Sequence, residues 1–251
     1  MPELATKIPR IALIDALRGI ALIAMAVFHF NFDLELLGLA KPGYISQPHW
    51  VNFAHLIAAS FLMLVGFSLA LSHMNGIRWR GFWVRFAKVT IAALAITIVT
   101  YFATPDMFIF FGILHQIALA SLLGLVFLRM PWWAVAFFAI FVLFARDHLR
   151  TELLDMPFWW WSGIQQIIPR SSDYVPIFPW FGWVLMGISA AKLSEKMDWL
   201  SRLANIRIDA PLSLSRLADF MQLLGRNSLL FYLAHQPIMV ALIYIYLQIL
   251  P

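Results

Sequence analysis

Four residues able to do chemistry lie close together in an otherwise apolar stretch: Asp15, Arg18, His29 and Asp33, within RIALIDALRGIALIAMAVFHFNFDL at positions 10–34. A helix turns about 100° per residue, so the eleven steps from Arg18 to His29 bring the chain back to within about 20° of one face. Asp15 and Asp33 each fall about 60° from Arg18, on the same side. Between them stand Leu22, Met25 and Ala26. Charges inside a bilayer are costly and face a bundle interior or a wet cavity. A guanidinium suits an anionic ligand, with Asp15 beside it as an ion-pair partner. His29 and Asp33, four residues apart, are placed to meet on one helix face. A carboxylate on one ring nitrogen fixes the tautomer and supports a general base at the other. The face reads as the wall of an active site; the structural alternative is a buried pair and a bonded histidine that only join helices.

The elements that must position these residues follow from composition. Of the 251 residues, 62% are hydrophobic and 12% charged, far from the balance of a soluble domain. The chain reads as an integral membrane protein: an all-α, polytopic helical bundle forming a single domain over 1–251. Stretches long enough to span at roughly 20 residues each fall at about 11–32, 51–73, 84–104, 107–128, 131–147, 176–193 and 226–249, giving about seven transmembrane helices. The first is too long for a signal-peptide core and is expected to be retained. Thirteen basic residues fall on the side of the N-terminus: Lys7, Arg10, Arg78, Arg80, Arg85, Lys88, Arg129, Lys192, Lys196, Arg202, Arg207, Arg216 and Arg226. The opposite side has four, namely Lys41, Arg146, Arg150 and Arg170. That asymmetry predicts a cytoplasmic N-terminus. Trp159, Trp160 and Trp161 suit the outer interface. In the 194–225 connection, Leu217, Phe220, Met221 and Leu224 recur at helical spacing beside Arg216, Asp219 and Arg226, predicting an amphipathic helix lying on the membrane.

Other imidazoles sort by depth. His49 and His55 start the second span and His115 lies about two turns into the fourth, so they share the outer level with His29 and Asp33. His235, two residues before Pro237, serves either the kink that proline imposes or an adjacent cavity. His73 and His148, at helix ends, are expected to be solvated. His29, Asp33, His49 and His55 form a conceivable metal set, but no HExxH-like spacing supports one and no metal is expected. The absence of cysteine excludes thiolate catalysis and disulfides. Nothing in the charge pattern calls for nucleic acid.

The motif LRGIALIAMAVFH, an Arg followed by His at the far end of the first membrane helix, is similar to the signature of the membrane-bound acyltransferase-3 proteins. IDALRGIALIAMAVFHFNFDL, FLMLVGFSLALSH, GILHQIALASLLGL, FPWFGWVLMGI and LGRNSLLFYLAHQPI recur in order over most of the chain. Together they resemble the related catalytic domain of heparan-alpha-glucosaminide N-acetyltransferase, including its short bacterial homologues. The resemblance implies transfer of an acyl group, typically acetyl from cytoplasmic acetyl-CoA, to a sugar hydroxyl or amine at the outer face of a bacterial cytoplasmic membrane. It assigns Arg18 to the CoA portion and His29 or His49 to the acyl-transfer centre. The expected partners are membrane lipids and a small-molecule or glycan acceptor. The pantetheine arm is comparable in length with the Arg18–His29 separation of ~16 Å. A proton-coupled small-molecule transporter also places titratable groups on inward faces, although no paired halves or doubled broken helices appear. A non-catalytic membrane scaffold is the third reading.

Overall fold

The computed structural model describes residues 11–205 and 212–249. Lys7, Arg10 and Arg207, which enter the charge count, lie outside them. Among the described residues the chain is helical, with no strand beyond a single bridge between Thr151 and Gln165. Helices α1 (Ala12–Leu36), α2 (Pro48–His73), α3 (Trp79–Ala103), α4 (Ile113–Phe127), α5 (Trp132–Leu149), α6 (Ile177–Lys196), α7 (Trp199–Asn205), α8 (Leu212–Arg226) and α9 (Ser228–Ile249) follow in order. Six of them, α1, α2, α3, α5, α6 and α9, are long and apolar enough to cross a membrane. α4 is apolar but shorter, with 15 residues. At 1.5 Å per residue it covers ~22 Å, less than a hydrocarbon core of ~30 Å.

The fourth apolar stretch is shorter as a helix than its sequence run because its first third is held open by hydrogen bonds. Pro105 and Gly112 break the periodicity. The Thr97 hydroxyl donates to the Ile109 carbonyl at 2.7 Å, and the Ile109 N–H donates to Thr100 Oγ1 at 3.0 Å. Asp173 Oδ2 then accepts from the Ile113 N–H at 2.8 Å, satisfying one of the orphan donors at the start of α4.

The chain divides into two compact units. One, over Leu62–Trp199, has its core on α6, where Val184, Leu185, Ile188 and Ala191 are fully buried. Their spacing of one, four and seven is a single helix face. α5 presents Val135, Ala139, Val142 and Ala145 to the core. Small residues permit close approach: a Cβ on Gly182 would crowd the Ala139 carbonyl of α5, and one on Gly66 of α2 would overlap the Val184 carbonyl of α6. Polar side chains also tie neighbouring helices together. Lys192 Nζ donates to the Leu128 carbonyl just past α4 at 2.7 Å, and Ser189 Oγ to the Trp132 carbonyl at 2.9 Å. Phe137, Ile140, Phe141 and Phe144 of α5 point outward, as lipid-facing side chains do.

The other unit comprises 11–61, 200–205 and 212–249. Its organising contact is α8 packed along α1. A Cβ on Gly225 would overlap the Asp15 carbonyl, and one on Gly19 would overlap the Met221 carbonyl. Advancing four residues on α1 thus retreats four on α8, so the two helices run antiparallel. This changes the reading of 194–225. The amphipathic segment does form a helix, but it packs lengthwise on the first span through paired glycines, and its Leu217, Phe220 and Leu223 remain exposed. Periodicity measures how apolar a face is and not which partner covers it.

Candidate functional site

α1 turns one face inward, burying Asp15, Gly19, Leu22, Met25 and Asp33. Around its first turns the polar residues pair. Arg18 Nη1 donates to Asp15 Oδ1 at 3.0 Å and to the Gly225 carbonyl at 3.3 Å. Arg226 Nε stands 3.6 Å from Asp15 Oδ2. Asp15 is therefore a buried carboxylate held between two guanidiniums. Its place in a ligand site is that of a holder: it fixes Arg18 and Arg226, and a carboxylate itself would repel a phosphate. The structural alternative foreseen for Asp15 and Arg18, an ion pair that joins helices, is thus present, with Arg226 of the amphipathic segment as an added member.

Three turns further along α1, His29 faces His235 of α9, with ring centroids 5.1 Å apart and planes at 65°. Aromatic rings surround the pair. Phe28 and Phe32 meet His29 edge-on, and Phe231 lies parallel to the His235 ring at 6.0 Å. His235 Nδ1 is 2.7 Å from the Tyr232 carbonyl. A carbonyl only accepts, so Nδ1 carries the proton and Nε2 of the neutral ring presents its lone pair. That Nε2 is buried with no hydrogen-bond partner, and so is His29 Nδ1.

The expected bond between Asp33 and His29 is not made. Asp33 is fully buried, but its Oδ1 accepts from Gln236 Nε2 at 3.0 Å while Oδ2 has no partner. The i, i+4 spacing permits the contact; the amide arriving from α9 takes the carboxylate instead. The role foreseen for Asp33 on His29 thus falls in this structure to the Tyr232 carbonyl, acting on His235. Gln236 was not singled out from the sequence. Its signal was its place next to His235, where one helix register delivers both to α1.

The remaining candidates separate. His49 is exposed on the first turn of α2, its ring 5.5 Å from Trp50. The Trp50 indole in turn meets Phe28 at 6.3 Å, so two ring contacts connect His49 to the neighbour of His29. His55 is exposed as well. His115 belongs to the other unit and is committed at both nitrogens: Nδ1 accepts from the Gly112 N–H at 3.2 Å, which leaves Nε2 to donate to Thr97 Oγ1 at 3.1 Å. It fastens the start of α4, a structural task. His73, expected to be solvated, is buried, because its ring turns back onto the Leu69 carbonyl and against Phe82. Among the described residues no three His, Asp or Glu side chains are grouped to hold a metal ion.

The sequence model of the heparan-alpha-glucosaminide N-acetyltransferase catalytic domain matches residues 10–237, which takes in His29, His235, Arg18 and Arg226. The chain belongs to that family. No curated protein and no solved structure matches it. Membership in the heparan-alpha-glucosaminide N-acetyltransferase family, with six helices able to span, makes this an integral membrane protein of an acyltransferase family.

Proposed function

We propose that the protein transfers an acetyl or similar acyl group from cytoplasmic acyl-CoA to a hydroxyl or amine of a sugar-like acceptor at the outer face of a bacterial cytoplasmic membrane. The observation that carries this reading is the His29–His235 pair, with two unpartnered buried ring nitrogens, His29 standing on the helix that bears Arg18 eleven residues earlier. The guanidiniums of Arg18 and Arg226 suit the phosphates of CoA, since guanidiniums grip phosphate oxygens through paired N–H groups. The pantetheine arm then runs along α1 for the ~16 Å that separates Arg18 from His29.

In this reading the acceptor O–H or N–H donates its proton to His235 Nε2 as the oxygen or nitrogen attacks the thioester carbonyl. The tetrahedral intermediate collapses with cleavage of the C–S bond, and the proton leaves with the CoA thiolate as the thiol. Tyr232 holds the Nδ1 proton of His235 throughout, which keeps the basic nitrogen turned toward the reacting group. His29 sits across from it, placed to hydrogen-bond the acceptor. Without cysteine no thiol-linked acyl-enzyme forms.

The test is incubation of membranes carrying the protein with radiolabelled acetyl-CoA. Label should pass to an acceptor, or slowly to water. His29→Ala and His235→Ala should each lower that rate by roughly 10²–10⁴, the usual contribution of a positioned acid or base. Undiminished transfer in both variants would remove the pair from the chemistry. Solute flux in proteoliposomes with no acyl-CoA requirement would replace the enzyme with a transporter.

A further inference from the structure

The register of α8 on α1 sets how deep α8 lies. The two close contacts pair Gly225 with Asp15 and Met221 with Gly19, four residues apart on each helix. The next such step pairs Leu217 with Ile23 and puts Asp219 and Arg216 level with Ala21 and Ala24. α1 has 25 residues and is among the helices long and apolar enough to cross a membrane. A span of roughly 20 residues, wherever it is set within Ala12–Leu36, takes in residues 17–31. Tilt only adds to the number embedded. A helix packed lengthwise on α1 thus lies within the hydrocarbon over the stretch that carries Arg216 and Asp219.

Two charges at that depth need water. Arg216 and Asp219 are both exposed, and among the described residues no ion pair joins them. A charge within the bilayer faces a protein interior or a wet cavity, and their exposure leaves the second. The polar residues also keep to one side. At about 100° per residue, Arg216, Asp219, Gln222 and Arg226 fall within about 120° of one another, with Leu223 among them. Exposed Leu217 stands about 160° from Asp219, on a flank suited to lipid. The polar edge ends at Arg226, whose Nε is 3.6 Å from Asp15 Oδ2, so it is continuous with the cluster that holds Arg18.

We propose that α8 is a re-entrant helix whose polar edge walls a water-filled vestibule running from the Asp15 end of α1 to the middle of the bilayer. Its 15 residues cover ~22 Å, too little to cross. The vestibule lets a charged, water-soluble molecule come close to the paired imidazoles, since Ala24, level with Arg216, is about 7.5 Å from His29 along α1. On the proposed function that molecule is the acyl-CoA. This last step rests on that function; the depth and hydration of α8 do not.

The chain has no cysteine, so a nitroxide can be placed at single substitutions without background. The test reads the full-length protein in phosphatidylcholine nanodiscs by electron paramagnetic resonance, with oxygen marking lipid and a water-soluble nickel chelate marking water. Ile23→Cys, Leu217→Cys and Asp219→Cys are compared, each at an exposed position. Leu217→Cys should report the same depth as Ile23→Cys, and Asp219→Cys should admit the nickel chelate several-fold better than either. Arg216→Cys should repeat the Asp219→Cys result. Interface depth at Leu217→Cys would put α8 on the membrane surface and overturn the proposal, as would exclusion of nickel from both Asp219→Cys and Arg216→Cys. Added CoA should lower nickel access at Asp219→Cys. Acetyl transfer by a protein whose Asp219→Cys signal ignores CoA would keep the proposed function and strike this route for the donor.

Discussion

At the scale of the residue, Arg18 shows how structural and functional roles overlap. Its Nη1 contacts Asp15 and the Gly225 carbonyl, so removing it takes one guanidinium from a buried carboxylate that Arg226 also faces. Arg18→Ala should therefore cost about 3 kcal/mol, the lower end for an orphaned buried charge because one guanidinium remains. A loss of acyl-CoA affinity in that variant would not by itself place Arg18 on the donor. Arg18→Lys separates the two roles: the charge stays beside Asp15, while the planar fork that grips phosphate is gone. Thermal melting should move little in the lysine variant, and acyl-CoA affinity should still fall about tenfold. Unchanged affinity would return Arg18 to the helix junction. From the sequence the shared face of Asp15, Arg18, His29 and Asp33 was legible, because it depends only on the helical repeat. Their partners were not: Arg226, His235 and Gln236 stand about 200 residues away in the chain, where no spacing rule reaches.

At the scale of the element, the α1–α8 junction is set by two glycines. A Cβ at Gly225 would overlap the Asp15 carbonyl, and a backbone atom cannot move aside as a side-chain end does. Gly225→Val should destabilise by about 3 kcal/mol or more, at or beyond the usual range for overpacking. Gly81→Ala, with open space at its Cβ, is the control and should gain roughly 1 kcal/mol of helix propensity. Melting curves of the two variants would show whether close approach or glycine itself matters. Most helices were legible as apolar runs, the run at 131–147 included, now α5. The start of α4 was not, since its boundary depends on a tertiary bond from Asp173. That bond carries a pH signature. Desolvation pushes the Asp173 carboxyl up to about 6, against the smaller opposing effect of the Ile113 N–H. Between about 4 and 6 the folded protein thus holds a proton that the unfolded chain does not. Its contribution to stability is present at low pH and is lost as pH rises through about 6. Asp173→Asn, which keeps an acceptor for Ile113, should flatten that dependence and raise the melting point at pH 8 by a few degrees. An unchanged pH profile in Asp173→Asn would show that another group titrates there.

At the scale of the whole molecule, the reading of donor and acceptor depends on which end of α1 faces the cytoplasm. CoA thioesters are cytoplasmic, so the Arg18 end must lie inside and the His29 end outside for an acyl group to be handed across. The imbalance of basic residues predicts that orientation. The sequence also supplies the means to check it, because a chain without cysteine has no background to a thiol reagent. Ser46, in the connection after α1, and Asn75, in the connection after α2, are both exposed and stand at opposite ends of α2. In intact cells, Ser46→Cys should react with a membrane-impermeant maleimide and Asn75→Cys only after permeabilisation. The reverse pattern would put Arg18 outside, away from any CoA, and the guanidinium cluster would lose its proposed ligand while the histidine pair kept its geometry. Labelling of both sites from outside would mean that α2 does not cross, since a helix that spans must separate its ends. The outcome therefore bears on the chemistry as directly as any substitution at the imidazoles.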